Sequence, residues 1–255
     1  MSPINKKALA PSTDRCLAIL ELLSQHPDGM TLSEIHRILD ISKNMVFRIL
    51  GDLSTRGYAY RDDSKTYFLG RKILELAAPR VGHRNLVDEA AAEIRDLRDR
   101  CGESVGLLIP SGGEAVLIYF QPSAQPIRTI YDVGIRIPLY SNAPGKVFLA
   151  FGDEAERQRR MKLQSFKRFN DRTITIAKKL EEQLQTAREE GYAIDCAEEV
   201  DGSYCVAAPV FDAEGRLIAA IVVTGPSERI SVDRFPEYGR QVAQTAARIT
   251  ARLAR

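Results

Sequence analysis

The stretch TLSEIHRILDISKNMVFRILGDLSTRGYAYRDDSKTYFLG, residues 31–70, decides how this chain is read. It opens on Thr31-Leu32-Ser33-Glu34, a capping box in which Thr holds one free helix amide and Glu reaches back to another. Leu32, Ile35 and Leu39 follow at helical spacing. Asp40-Ile41-Ser42 is a short turn, and Ser42 can cap a second helix. Val46, Ile49, Leu50 and Leu53 form one apolar stripe on that helix, and Gly57 stops it. Tyr58 to Arg61 and Thr66 to Leu69 flank the polar turn Asp62-Asp63-Ser64-Lys65, the pattern of a β-hairpin. Helix, turn, helix and hairpin in this order predict a winged helix-turn-helix. Double-stranded DNA is therefore the first partner to expect.

The second helix has the side chains a major-groove reader needs. At about 100° per residue, Asn44, Arg48 and Gly51 fall opposite the apolar stripe, with Lys43 and Phe47 on the flanks. Asn pairs bidentately with adenine and Arg with guanine, and an exposed Phe can touch a thymine methyl. Gly51 costs the helix about 1 kcal/mol against Ala; close approach of backbone to duplex would be the return. Phosphate contacts are expected from free amides near Thr31 and Ser42. Arg15, Lys43, Arg61, Lys65 and Arg71 are candidates for backbone ion pairs. The alternative for each is a solvated surface charge, since winged helices also serve as protein-interaction modules.

At 255 residues the chain is long enough for two domains, and 44% hydrophobic content allows ordinary cores. Residues 1–72 carry 11 Lys and Arg against 8 Asp and Glu, whereas the remainder is near neutral. The basic excess thus sits with the helix-turn-helix. No apolar run approaches a membrane span, and the N-terminus lacks the apolar core of a signal peptide. Four cysteines (Cys16, Cys101, Cys196, Cys205) are scattered without a CxxC, and none of the three histidines is near a cysteine in sequence. No metal site is expected, and reduced thiols in a cytoplasm are the default.

The expected organisation is α+β. Residues 1–71 form the DNA-binding domain, 72–84 a linker helix ending near Pro79, and 85–255 a second domain. Residues 1–11 are expected to be a tail, with Ser12 capping a first helix. Cys16, Ile19, Leu20 and Leu23 share one face of it. Leu17 and Leu22 widen that apolar surface, which fits a deeper core or a dimer contact. A helix over 85–100 precedes a change to period two. Hairpins are predicted at Val105–Phe120 and Cys205–Thr224, with strands at Arg128–Val133 and Tyr192–Asp195. Helices are predicted from Asn142 to Ala150, from a Thr175 cap to Gly191, and from Val232 to Arg255. Hairpins alternating with helices imply one sheet with helices on its faces.

Four stretches, in order and spacing, carry a family resemblance. They are Arg48-Ile49-Leu50-Gly51-Asp52-Leu53 with Gly57-Tyr58 and Tyr67-Phe68-Leu69-Gly70; Ser141 to Ala150; Arg188 to Ala193 with Glu198-Glu199; and Ala207 to Asp212 with Gly225-Pro226. On these the chain resembles the IclR family of bacterial transcription regulators over residues 12–250. The resemblance implies a GAF-like effector-binding domain and a homodimer through the DNA-binding modules, or a tetramer. It also implies near-palindromic half-sites. A small organic or aromatic acid in the second domain would change operator affinity. The implied effector loop is Ser141, Asn142, Ala143, Pro144 and Gly145, whose amides at a helix start suit a carboxylate. Asp195 and Cys205 match the polar pair of keto-acid-sensing members. Val222 and Thr224 match two hydroxyl positions there, and Val222 has lost its hydroxyl. That thinner polar set favours a larger or more apolar effector. Read on their own, Cys205 is equally a core residue, Asp195 a turn residue and Thr224 a strand cap.

A rival reading makes Cys205 a nucleophile with Asp195 as acid or base. A catalytic thiol wants a nearby histidine, and His26, His36 and His83 all lie in or near the N-terminal module. No P-loop, GxSxG or HExxH occurs, so neither catalysis nor a cofactor is expected. Asp195 with Glu198 and Glu199 could bind a cation, but Glu198 and Glu199 read rather as a solvated edge. A second rival is a winged-helix protein whose C-terminal domain serves only oligomerisation. Repression and activation are equally compatible with the sequence.

Overall fold

The structure is a computed structural model that describes residues 9–77, 80–81 and 84–254. Two compact units divide the chain, Met1–Ala78 and Pro79–Arg255.

In the first unit α1 (Pro11–Ser24) begins one residue before the expected cap, Ser12. Its N-cap is Ala10, with no side-chain bond, because Pro11 suits a first helical position where no amide partner is needed. The expected tail falls outside the described residues up to residue 8. Ala18, Ile19, Leu22 and Leu23 are buried, whereas Leu17 is 53% exposed. A two-residue strand, β1 (Met30–Thr31), precedes α2 (Leu32–Leu39) and α3 (Lys43–Thr55). The capping box is formed: Glu34 N–H donates to Thr31 Oγ1 at 3.4 Å, and Thr31 N–H to Glu34 Oε2 at 2.8 Å. Ser42 caps α3 by accepting from Met45 N–H. The wing is β2 (Ala59–Arg61) and β3 (Thr66–Leu69), and β1 adds to it in the order β1-β3-β2. Asp62 Oδ1 accepts from Ser64 Oγ and Thr66 N–H and so closes the wing turn. At Gly70 a Cβ would sit 2.1 Å from the Gly57 carbonyl oxygen, so only glycine lets the wing return against the end of α3. The helix expected through Pro79 spans only α4 (Lys72–Ala77), and Ala78 and Pro79 lie outside the described residues.

The second unit does not continue as linker helix. Arg80–Val81 (β4) pairs with Arg84–Asn85 (β5) before α5 (Leu86–Cys101) begins. Then come β6 (Ser104–Ser111), β7 (Glu114–Gln121), β8 (Arg136–Pro138), α6 (Ala143–Ala150), α7 (Glu154–Lys162), α8 (Ala177–Glu190) and β9 (Ala193–Cys196). β10 (Ser203–Phe211), β11 (Leu217–Pro226), a 3-10 turn (Val232–Arg234) and α9 (Phe235–Leu253) close the unit. The main sheet is antiparallel in the order β8-β7-β6-β11-β10-β9. Alternation along β10 and β11 sends Val206, Ala208, Ile221 and Val223 to a core with α5 and α9. Cys205, Ala207, Ala220 and Val222 go to the other face, against α6 and α8.

Two local expectations are corrected, and one helix was not expected. Arg128–Val133 does not join the sheet; pairing to β7 starts only at Gly134, whose N–H donates to Leu117 O at 2.7 Å. Upstream, Ser104 Oγ donates to Thr129 O in place of a ladder bond. Thr175 does not cap α8, whose N-cap is Ile176 without a side-chain bond. The helix α7 has no counterpart in the apolar pattern, because it is held by charge. Asp153 caps it, Glu154 and Glu156 pair with Arg157 and Arg160, and Arg160 reaches Phe148 O.

Candidate functional sites: a reading helix and an effector cavity

The apolar stripe of α3 is spent on its own core, with Val46, Leu50 and Leu53 buried. What remains outward is Lys43, Asn44, Arg48 and Gly51, all exposed, with Phe47 58% exposed beside them. A Cβ on Gly51 would meet nothing within 4 Å, so no neighbouring element blocks this face. Arg61 and Lys65 are exposed on the wing, Arg61 with its guanidinium 5.9 Å from the Tyr67 ring centroid and Lys65 at the turn. Arg71 is exposed beyond Gly70, and Arg15 is half-buried on α1.

Thr31 is less available than its position suggested. Its N–H and its hydroxyl both donate to Glu34 Oε2 at 2.8 Å. Those hydrogen bonds from Thr31 hold the Glu34 carboxyl below its ordinary pKa. An anion already sits where a phosphate was expected. Sequence reasoning also missed His36, whose Nδ1 bonds Ile41 O at 2.6 Å and ties α2 to the turn before α3. A histidine five residues before the turn carbonyl was the available signal.

In the second unit a cavity of about 160 Å³ opens on the α6 side of the sheet. Leu117, Phe120, Tyr131, Ile137 and Val222 supply its apolar wall. Of the expected effector residues, Asn142, Pro144, Asp195, Cys205, Val222 and Thr224 line it; Ser141, Ala143 and Gly145 do not. The register explains the grouping. Asp195 stands opposite Cys205, and Cys205 opposite Thr224, so three strands deliver one polar row. Cys205 Sγ lies 3.3 Å from Thr224 Oγ1.

Of the amides expected to form a cradle over Ser141–Gly145, that of Gly145 is used internally. Gly145 N–H donates to Asn142 Oδ1 at 2.8 Å, and Lys146 N–H to Asn142 O. Gly145 is required because a Cβ would lie 2.5 Å from the Leu139 backbone. Ser141 Oγ donates to Glu199 Oε2 at 3.0 Å. Nor are Glu198 and Glu199 a solvated edge. Glu198 is 3% exposed and pairs with Lys146 at 2.5 Å, while Glu199 is half-buried on the cavity wall. Lys146, 1% exposed, also donates to Gln183 Oε1 and Ile194 O. Sequence reading missed this buried cation; its only signal was a lysine directly before the apolar run Val147-Phe148-Leu149-Ala150.

Electrostatics follow from burial. Loss of water pushes the Asp195 carboxyl up to about 7, with Lys146 pulling it down and Glu198 pushing it further up. Burial raises Glu199 as well. Burial and the nearby Asp195 drive the Cys205 thiol well above its ordinary range, the reverse of an activated nucleophile. Among the described residues no group of three or more His, Cys, Asp or Glu is placed to hold a metal ion. Among them no helix is long and apolar enough to cross a membrane.

An exposed polar face on the second helix of a winged helix-turn-helix, with a separate ligand-sized cavity in the same chain, fits, as a class, a DNA-binding transcription regulator. Comparison with known proteins gives the family. The sequence pattern described as "Bacterial transcriptional regulator IclR C-terminal" matches residues 79–251, and the "IclR helix-turn-helix domain" matches 12–63. The chain is 31% identical over 252 residues to the HTH-type transcriptional repressor AllR of Escherichia coli K12, covering 98% of this chain and 93% of that one. The crystal structure of Thermotoga maritima IclR superposes with a TM-score of 0.80 at 28% identity, covering 96% of this chain and 99% of that one. An IclR homologue from Microbacterium hydrocarbonoxydans, complexed with 4-hydroxybenzoate, shares the fold with a TM-score of 0.79 at 20% identity, covering 95% and 98%. The chain belongs to the IclR family of bacterial transcriptional regulators.

Proposed function

We propose that this protein is an effector-responsive repressor whose operator affinity is set by a small organic molecule bound in the cavity of its second unit. The observation that carries the reading is that cavity, with Asp195, Cys205 and Thr224 in one row against an apolar wall. A dry cavity of about 150 Å³ accepts benzene, so a ligand body of about one ring fits. The 4-hydroxybenzoate held by a protein of the same fold supports a ligand of that size. The repressor direction follows the name of the AllR relative.

In this reading Asn44, Phe47 and Arg48 contact bases. Ser42, Lys43, Arg61, Lys65, Arg71 and Arg15 contact phosphates. The protein acts as a homodimer or a tetramer on paired half-sites, and the exposed Leu17 of α1 is a candidate subunit contact. Ligand binding shifts α6 and the Gly70–Pro79 segment, with a coupling of about 1–3 kcal/mol between cavity and operator. The test is operator binding by the full chain, titrated with single-ring ligands. A ligand that shifts operator affinity and loses its effect in Cys205→Ala supports the reading. A folded, oligomeric protein whose operator affinity no such ligand moves would leave the second unit as an oligomerisation domain.

A further inference from the structure

Two residues that line the cavity, Ile135 and Val200, are also exposed to solvent, so the mouth lies between them. One side of that mouth is the turn between β9 and β10, and the other is the connection from β7 to β8, residues 122–135. The first part of this connection is tied down. Arg98 donates to Pro122 O, Ser123 N–H to Ser104 Oγ at 3.0 Å, and Arg229, paired with the buried Glu103, to Ile127 O at 2.9 Å. The last such tie is the bond from Ser104 Oγ to Thr129 O. Pairing resumes only at Gly134, which has a left-handed φ of 96°. Among the described residues, Ile130 and Tyr131 make no backbone hydrogen bond to the sheet. Ile130 and Val133 are exposed, and of residues 130–133 Tyr131 alone lines the cavity. Its ring meets Phe120 edge-on with centroids 6.1 Å apart, and its hydroxyl interacts with the side chain of Ser203 at the start of β10. Burial raises the phenol above its ordinary pKa, so the hydroxyl keeps its proton and can donate. One side chain thus holds this stretch to the cavity, and segments with few bonds and little burial open locally at low cost.

We propose that residues 130–133 form a strap that opens to admit the ligand, and that Tyr131 is its latch, closing on the bound molecule and donating its hydroxyl to the polar head. This rests on the effector reading and adds the route into the cavity. The contact of Tyr131 with Ser203 joins the two sides of the mouth. A head group placed between Tyr131 and the row of Asp195, Cys205 and Thr224 takes over that contact, so the strap closes with the ligand and shuts out water. The latch leaves the charge of the head open, since a hydroxyl donates to a carboxylate, an amide or an alcohol alike.

The chain has no tryptophan, so Tyr131→Trp puts the one indole of the protein at the latch. The test follows that indole in the full chain with benzoate, benzamide and benzyl alcohol, beside calorimetric titration of each compound. With a compound that binds, acrylamide quenching is expected to fall and emission to shift to shorter wavelength. In stopped flow the rate of that change should level off with rising concentration, because the strap must open first. Tyr131→Phe keeps the ring and reads the hydroxyl separately, and it serves if the indole disturbs the fold. It is expected to bind the same compound about two- to tenfold more weakly. Calorimetric binding with the indole unmoved, or with a rate that stays linear in concentration, overturns the strap and leaves the effector reading standing. Native affinity in Tyr131→Phe overturns the latch in the same way. No binding by any of the three compounds counts against both readings.

Discussion

The outward face of α3 holds Lys43, Asn44 and Arg48 in solvent, whereas the cavity holds Asp195, Glu199 and Thr224 largely out of it. Charges on the helix are screened and cost the fold little. Charges at the cavity are shifted by burial and must be matched by neighbours. In the proposed reading, DNA chemistry sits on an exposed surface and ligand chemistry in a buried interior. The difference predicts that substitutions in the two regions separate stability from binding.

The largest effect is expected at Lys146. Lys146→Ala leaves Glu198 buried without its partner, and removing one member of such a pair costs about 3–5 kcal/mol. Urea denaturation should show the second unit losing most of that; an unchanged midpoint would mean that Glu198 finds water or a proton at little cost. The next effect is pH-dependent. The Asp195 carboxyl titrates at about 7 in the folded state against an ordinary 3.8. The folded state therefore holds the proton more tightly, so the stability that it lends is full below about pH 4 and lost as pH rises through about 7. Asp195→Asn should remove this decline and, above pH 7, gain up to roughly 4 kcal/mol. Parallel pH–stability curves for the two proteins would contradict it.

Smaller effects belong to the reading helix. Arg48→Ala should cost about 1–3 kcal/mol of operator affinity and relax specificity at one base pair, with thermal stability unchanged. A uniform loss across all DNA sequences would make Arg48 a phosphate contact. Gly51→Ala should raise the stability of the first unit by up to about 1 kcal/mol, since a Cβ there meets nothing. If backbone approaches the duplex at that point, the same variant weakens operator binding; unchanged binding would reduce Gly51 to a mere helix weakness. Should Arg48→Ala unfold the protein, or Lys146→Ala leave it untouched, the contrast between the two regions would fail.

The first unit was legible because its signals are local. Thr31 and Glu34 are three residues apart, Ser42 caps the helix it precedes, and Asp62 closes a turn within its own hairpin. Where local reading erred, a neighbour competed: Pro11 displaced Ser12, and Glu34 took the donors of Thr31. The cavity was legible only in part. Asp195, Cys205, Val222 and Thr224 came from family resemblance and from strand parity. Gly145, expected in the effector loop, does not line the cavity, and its steric need for glycine against Leu139 is met only through packing. α7 was missed because arginine–glutamate pairs leave no apolar period.

By itself the sequence determined the winged helix-turn-helix, the outward residues of α3, the helix–hairpin alternation of the second unit and the family. The first three rest on periodicity, caps and turns that act within a few residues; the family rests on its resemblance over four stretches along the chain. Only the tertiary structure decided that Lys146 is buried against Glu198 and that Glu199 faces the cavity. Those facts depend on groups tens of residues apart meeting where water is excluded. There a charge's neighbours, rather than its residue type, set what it can bind.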